Sequence, residues 1–166
     1  MLNLQYEPLN ESHINDLVPI WSDEDVIRYT NIKKPCSLEE IRKRINRLKV
    51  FDVFIVRSNN DVVGIIGCPC IDKLKSQYGL FYQFKKSAWG QGFASKSTEW
   101  LLKYMRKKYS KVTLYADVVV DNIASEKILI HSGFVYINEE KNGFERDGRK
   151  ITIRNYKLKG EHFCEQ

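Results

Sequence analysis

A mixed α/β fold, a sheet covered by helices, follows from three features of the sequence. Runs of β-branched residues have strand length, one long stretch is apolar at helical period, and the element order is two helices, three strands, helix, strand, helix and two strands. The length of 166 residues suits one domain spanning 1–166, with a sizeable core but no room for two ordinary ones. Hydrophobic residues make up 43% and charged residues 29%, with 9 Gly and 4 Pro, which excludes collagen-like, low-complexity and disordered chains.

After an apolar stretch at Leu2 to Tyr6, the segment Glu11 to Trp21 sets Ile14, Leu17, Val18 and Trp21 at helical spacing and predicts a first helix. Ser37 followed three residues later by Glu40 makes a capping box. It predicts a second helix with Leu38, Ile41, Ile45 and Leu48 as its apolar stripe. Val53 to Val56 and Val62 to Ile71 flank the turn-forming cluster Ser58 to Asp61 and read as a hairpin, with Leu80 to Phe84 as a third strand. From Gly92 the period changes. Phe93, Ser97, Trp100, Leu101, Tyr104 and Met105 line one face of a helix ending near Tyr109. Val112 to Val120 alternates as a strand, Asn122 to Ser132 is a short helix stopped by Gly133, and Phe134 to Asn138 and Ile151 to Leu158 are strands around a turn-rich Asn142 to Gly148.

Charge is +6, from 27 Lys+Arg against 21 Asp+Glu, which favours an anionic partner without choosing among nucleic acid, membrane surface and phosphorylated small molecule. Cys36, Cys68, Cys70 and Cys164 do not form a disulfide framework, and Cys68-Pro69-Cys70 has neither redox nor zinc spacing, so no metal site is expected. The N-terminus lacks a basic start followed by an apolar stretch. The longest uncharged apolar run, Val62 to Ile71, is about half of a membrane span. A cytoplasmic protein without membrane contact is expected.

Chemistry concentrates where Leu80-Phe-Tyr-Gln-Phe84 runs through Lys85-Lys-Ser-Ala-Trp-Gly-Gln-Gly92 into the long helix. Gly90 and Gly92 let the backbone approach an anion, and the first N–H groups of a helix lack intrahelical partners and carry the positive end of the dipole. Lys85, Lys86 and Lys96 add charge; a tight turn alone would use the same glycines. A nucleotide P-loop is excluded because no Gly-Lys-Ser/Thr follows, and the dinucleotide fingerprint lacks its third glycine. A second junction, Asp121-Asn-Ile-Ala-Ser125 with Lys127, closes at His131-Ser-Gly-Phe134.

Trp89-Gly-Gln-Gly-Phe-Ala94 and Asp121-Asn-Ile-Ala-Ser125 with the closing Gly133-Phe134 resemble the signatures of the GNAT superfamily of acetyl-CoA-dependent N-acetyltransferases. The branch they resemble contains the ribosomal-protein N-terminal alanine acetyltransferases. The resemblance implies a mixed, mostly antiparallel sheet with splayed central strands and flanking helices. It implies a pyrophosphate loop over Ser87 to Ser95, with the N–H groups of Gly90, Gln91, Gly92, Phe93 and Ala94 around the two phosphates and Trp89 within the loop. The pantetheine arm would pair with the backbone of Tyr82, Gln83 and Phe84, and Asn122, Ser125 and Lys127 would meet the cofactor's other side. Four positions depart from the family pattern: Ser87 replaces a Gln or Arg, Leu129 a tyrosine acid, Gly79 a strand Glu, and Lys96 a helix-start Glu.

Acetyl transfer requires a neutral amine near the thioester carbonyl, a stabilised oxyanion and a proton for the thiolate; proximity supplies about 7–11 kcal/mol. The resemblance gives the oxyanion a backbone N–H from Tyr82 to Phe84. Asp117 is the candidate base, at the offset that carries an aspartate in some aminoglycoside 6′-N-acetyltransferases; a solvated or salt-bridged strand carboxylate is the alternative. Ser125 is the candidate acid, or a cofactor contact only. The acceptor segment, Ser22 to Pro35 by resemblance, holds Asp23, Glu24 and Asp25, which would draw a cationic amine or serve as helix-start charge, and Trp21 and Tyr29 as pocket walls or core. The expected partner is an amine-bearing acceptor, a protein N-terminus or a small molecule, with an aminoglycoside or polyamine as the alternative; a homodimer stays open. Lys33, Lys34, Arg42, Lys43, Arg44, Arg47 and Lys49 would support a nucleic-acid module, but no aromatic ladder interleaves them, and no nucleic-acid partner is expected.

Overall fold

A computed structural model describes residues 2–159. Its elements in chain order are β1 (Leu4–Pro8), α1 (Val18–Trp21), α2 (Glu24–Ile27), α3 (Leu38–Leu48), β2 (Asp52–Ser58), β3 (Asp61–Cys68), β4 (Cys70–Asp72), β5 (Gln77–Gly79), β6 (Phe81–Phe84), α4 (Phe93–Lys108), β7 (Thr113–Val119), α5 (Ile123–His131), β8 (Val135–Arg146) and β9 (Arg149–Lys159). The sheets are mixed and mostly antiparallel, with helices beside them, as the α/β reading requires. The described residues divide into two compact units, 2–69 with 81–97, and 70–80 with 98–159. Cys164 lies outside the described residues.

The first unit is built on an antiparallel sheet in the order β1-β2-β3-β6. β2 and β3 are buried along nearly their whole length, which matches their unbroken apolar runs. Their hairpin turns at Asn59 and Asn60, both with positive φ (50° and 68°), a backbone that asparagine tolerates better than most residues. Leu17, Ile20, Trp21 and Ile27 from the N-terminal region meet Ile41 and Ile45 of α3 and Ile55 and Ile65 of the sheet; each such burial contributes about 1.5–3 kcal/mol. The predicted capping box starts α3: Ser37 Oγ accepts from Glu40 N–H at 3.2 Å, and Glu40 Oε2 accepts from Ser37 N–H at 2.7 Å. Leu38, expected in the apolar stripe, is exposed.

The second unit carries the sheet β4-β5-β7-β9-β8, in which β5 and β7 are parallel and the other pairs antiparallel. Leu114, Ala116 and Val118 of β7 are buried, and Asp117 faces the other way. α5 ends as predicted at Gly133 (φ +92°), where Phe134 N–H donates to Leu129 O at 3.0 Å and Gly133 N–H to Ile130 O at 3.1 Å.

Besides β1 and α2, which lie where the sequence reading assigned no element, the structure differs from that reading in four segments. The expected single helix Glu11 to Trp21 is two 3₁₀ turns (Glu11–His13 and Asn15–Leu17) followed by the one-turn α1, in which Pro19 supplies no N–H for a longer run. The expected strand Val62 to Ile71 breaks at Pro69, and its end joins the other sheet as β4. The strand Leu80 to Phe84 is preceded by β5, and the chain changes sheet at Leu80, whose N–H makes the last bond to β7 (Tyr115 O, 2.7 Å). Asn142 to Gly148, read as a turn, is mostly strand. Only Asp147 and Gly148, both with positive φ, turn the β8–β9 hairpin.

Gly64 lies opposite Phe84 on the strand that supports β6. A Cβ there would sit 2.3 Å from Phe84 Cδ1 and 2.8 Å from Gln83 O. Gly64→Ala should therefore cost about 1–3 kcal/mol by overpacking, read in thermal denaturation as a fall in Tm of about 2–4 °C per kcal/mol; an unchanged Tm would contradict this packing.

Candidate functional site

In the first unit, β6 ends its sheet and feeds the glycine-bearing loop. Lys85 N–H donates to Val63 O at 2.9 Å, which fixes the phase of the β3–β6 ladder. In an antiparallel pair, alternate residues bond to the partner, so Phe81 and Gln83 turn their main chain to β3, and Tyr82 and Phe84 turn theirs to the outer edge. The carbonyl of Phe84 is taken by the Trp89 indole N–H at 2.8 Å. Trp89 thus ties the loop to the strand that precedes it.

A 3₁₀ turn at Lys86–Ala88 then lifts the chain, with Ser87 O accepting from Gln91 Nε2 at 3.0 Å. Gly90 and Gly92 follow at φ +74° and +80°, in the left-handed region that other residues enter at a cost. Among the described residues nothing lies within 4 Å of a Cβ built on Gly90, and only Leu2 Cδ1, at 3.8 Å, near one on Gly92. Their freedom is therefore used for backbone direction and not for tight packing. Gly90, Gln91, Gly92 and Phe93 give their N–H groups to no acceptor among the described residues, and Ala94 and Ser95 complete the first turn of α4. The Phe93 side chain is buried, so only its backbone serves the loop. Consecutive amides at a sixteen-residue helix start suit a diphosphate, while Lys85 and Lys86 beside them in the chain are paired with Asp61 and Asp25. The fit of a coenzyme A diphosphate to this cradle rests on those unpaired donors.

The acceptor-side candidates have definite tasks here. Asp23 caps α2, accepting from the N–H groups of Asp25 (2.9 Å) and Val26 (3.3 Å). Asp25 pairs with Lys86 at the loop and with Arg28, and the Lys86 ammonium holds its carboxyl below the usual range. Trp21 is 1% exposed, a core residue and not an exposed pocket wall. Its indole N–H donates to Gln83 Oε1 at 2.6 Å. Glu24 and Tyr29 are exposed.

The second unit holds the remaining candidates. Asp117 is solvent-accessible, yet enough protein surrounds it that desolvation raises its carboxyl pKa, and the negative charge of Glu140 adds to the rise. Asn122 caps α5 through its side-chain oxygen, which accepts from Ser125 N–H at 3.3 Å; Ser125 is half-buried and Lys127 exposed. Leu129 is 2% exposed, so the position where the family's tyrosine acid is expected is apolar core. Sequence reading missed the network joining α5 to the last two strands. Glu126 accepts from Tyr156 O–H and from Arg154 at 2.8 Å, and Arg154 also pairs with Glu139 at 3.2 Å. Glu126 lies 28 and 30 residues before its two partners, beyond any local pattern. Among the described residues no group of His, Cys, Asp and Glu could hold a metal ion, and no helix is long and apolar enough to cross a membrane.

An edge strand with outward-facing main chain runs here into consecutive amides at a helix start, a shape suited to a phosphate-bearing ligand. The chain belongs to the acetyltransferase (GNAT) domain family, whose profile matches residues 3–135. It is 27% identical over 155 residues to an uncharacterized N-acetyltransferase p20 of Bacillus licheniformis, covering 86% of this chain and 84% of that protein. The fold is similar to that of a spermidine N-acetyltransferase from Vibrio cholerae, solved with CoA and spermine (TM-score 0.85, 16% identity, 98% of each chain). It is also similar to RimL, a ribosomal L7/L12 α-N-protein acetyltransferase solved with coenzyme A (TM-score 0.84, 18% identity, 94% of this chain and 93% of that one).

The Tyr156 hydroxyl and Arg154 hold the Glu126 carboxyl below its ordinary 4.5. A carboxyl acidified by folding stabilises the native state above its unfolded pKa, and that stability is lost as pH falls through the folded value. Glu126→Gln should therefore lower Tm most at neutral pH, with the gap to the parent closing below about pH 4. A gap that stays constant from about pH 7 to about pH 3 would show the ionisation to be irrelevant.

Proposed function

We propose that this enzyme transfers an acetyl group from acetyl-CoA to a primary amine, a protein N-terminal amine or a small-molecule amine, in the cytoplasm. The observation that carries the reading is the run of amides from Gly90 to Phe93 without protein acceptors among the described residues. When bound, acetyl-CoA supplies an acetyl group activated as a thioester.

The chain's own residues then have these tasks. Gly90, Gln91, Gly92, Phe93 and Ala94 bind the diphosphate through their N–H groups, with Ser87 and Ser95 at the loop's two ends. Tyr82 aligns the donor arm along β6 through its edge-facing backbone. Gln83 and Phe84 contribute less of their backbone than expected, since one faces β3 and the other's carbonyl is held by Trp89. Trp89 shapes the loop. Asn122, Ser125 and Lys127 approach the cofactor from the start of α5. Asp117 is the general base: burial places its pKa nearer to working pH than that of a fully solvated aspartate, which improves it for that task. With Leu129 in the core, Ser125 or water returns a proton to the thiolate. Glu24 and Tyr29 on the exposed acceptor segment, with Asp23 and Asp25, supply the surroundings of the incoming amine. A polyamine acceptor is the second reading, favoured by the exposed Glu24 carboxylate on this segment.

Thermal melting tests the donor site. Acetyl-CoA at about a hundred times its dissociation constant should add about 2.7 kcal/mol of stability, and Gly92→Val, which forces a β-branched residue to φ +80°, should abolish the shift. Absence of any shift in the parent protein would refute the reading. Asp117→Asn should leave that shift intact, reduce kcat, and remove an acidic limb of the kcat/KM profile lying above the ordinary aspartate value of 3.8. Parental kcat in the Asp117→Asn variant would remove Asp117 from the mechanism.

A further inference from the structure

The Trp21–Gln83 hydrogen bond fixes more than a loop. An indole N–H can only donate, so the Gln83 atom 2.6 Å from it must be the carboxamide oxygen, and the orientation of the amide is set by chemistry. Trp21 is 1% exposed and cannot exchange this partner for water. The Gln83 NH2 group is therefore turned away from Trp21, and it has no acceptor among the described residues. Gln83 itself is half-buried, next in the strand to Tyr82, whose main chain faces the donor edge. Successive strand side chains point to opposite faces, and the face of Gln83 is the one reached by Trp21. Trp21 leads directly into the exposed segment of Glu24 and Tyr29. Two fixed donors thus lie beside the strand that aligns the acetyl donor, on the face served by the acceptor segment.

We propose that Gln83 determines acceptor specificity, its NH2 group taking an oxygen acceptor close to the reacting nitrogen, as the carbonyl beside a peptide α-amine provides. The inference rests on the amine acetyltransferase reading and narrows it. A polyamine carries only protonated or weakly accepting nitrogens, so where it displaces water from the half-buried Gln83 it leaves the NH2 group without an acceptor, and a site built to hydrogen-bond a substrate group discriminates against analogues that lack it. Trp21 acts through Gln83 and is a positioning residue.

The test compares an Ala-Ala dipeptide amide with putrescine as acceptors for the full chain. The parent should favour the dipeptide amide, and in Gln83→Met the ratio of the two kcat/KM values should fall about tenfold, mostly through KM for the peptide. Calorimetric titration of the dipeptide amide into coenzyme A-loaded protein should show the same loss. Trp21→Phe, which releases the carboxamide, should reproduce part of it; Gln83→Met decides the matter if that core variant does not fold. A ratio unchanged in Gln83→Met, or a parent that prefers putrescine, overturns the proposal. Should neither amine be acetylated, the acetyltransferase reading fails, and the calorimetric comparison still decides whether Gln83 recognises the peptide oxygen.

Discussion

Helix starts leave N–H groups that the helix itself cannot satisfy, and this requirement governs the whole donor side of the molecule. At α4 the unsatisfied donors are extended backwards past two residues in left-handed conformation, Gly90 and Gly92, so that consecutive amides from Gly90 to Phe93 have no acceptor among the described residues. Neighbouring features hold that stretch in place. Trp89 bonds the loop to the end of β6, Gln91 spans back to Ser87, and Gly64 makes room for the Phe84 ring at the strand's end. Lys86 pairs with Asp25, which joins the loop to the segment carrying the acceptor candidates.

Much of this was legible in the sequence because it depends on local chemistry. The alternate glycines before an amphipathic stretch identify the loop, Ser37 with Glu40 identifies the start of α3, and Gly133 identifies the end of α5. What escaped depends on partners far away in the chain. The short β5 owes its existence to pairing with β7, about 36 residues later, and Gln77 to Gly79 carries no strand signal of its own. Asn142 to Gly148 has turn composition throughout, yet β9 holds all but two of its residues in a strand. The helix expected at Glu11 to Trp21 has the correct apolar spacing, but the chain forms two separate 3₁₀ turns before a one-turn helix that opens with Pro19 in its first turn.

For the site, side-chain assignments were least legible. Asp23, Asp25 and Trp21 attract notice as a charged and aromatic cluster, but their partners show one capping a helix, one bound to Lys86 and one buried. Gln83 attracted notice only for its backbone. Its carboxamide gains meaning from a tryptophan 62 residues earlier, a distance across which sequence pattern carries no information.

A grip made of main-chain amides is indifferent to most side chains around it. Replacing Ser87 or Gln91 with alanine would leave the backbone N–H groups of the loop in place, whereas alanine at Gly90 or Gly92 has to enter the left-handed region at a cost, so a scan of that kind would register the glycines and pass over the amides between them.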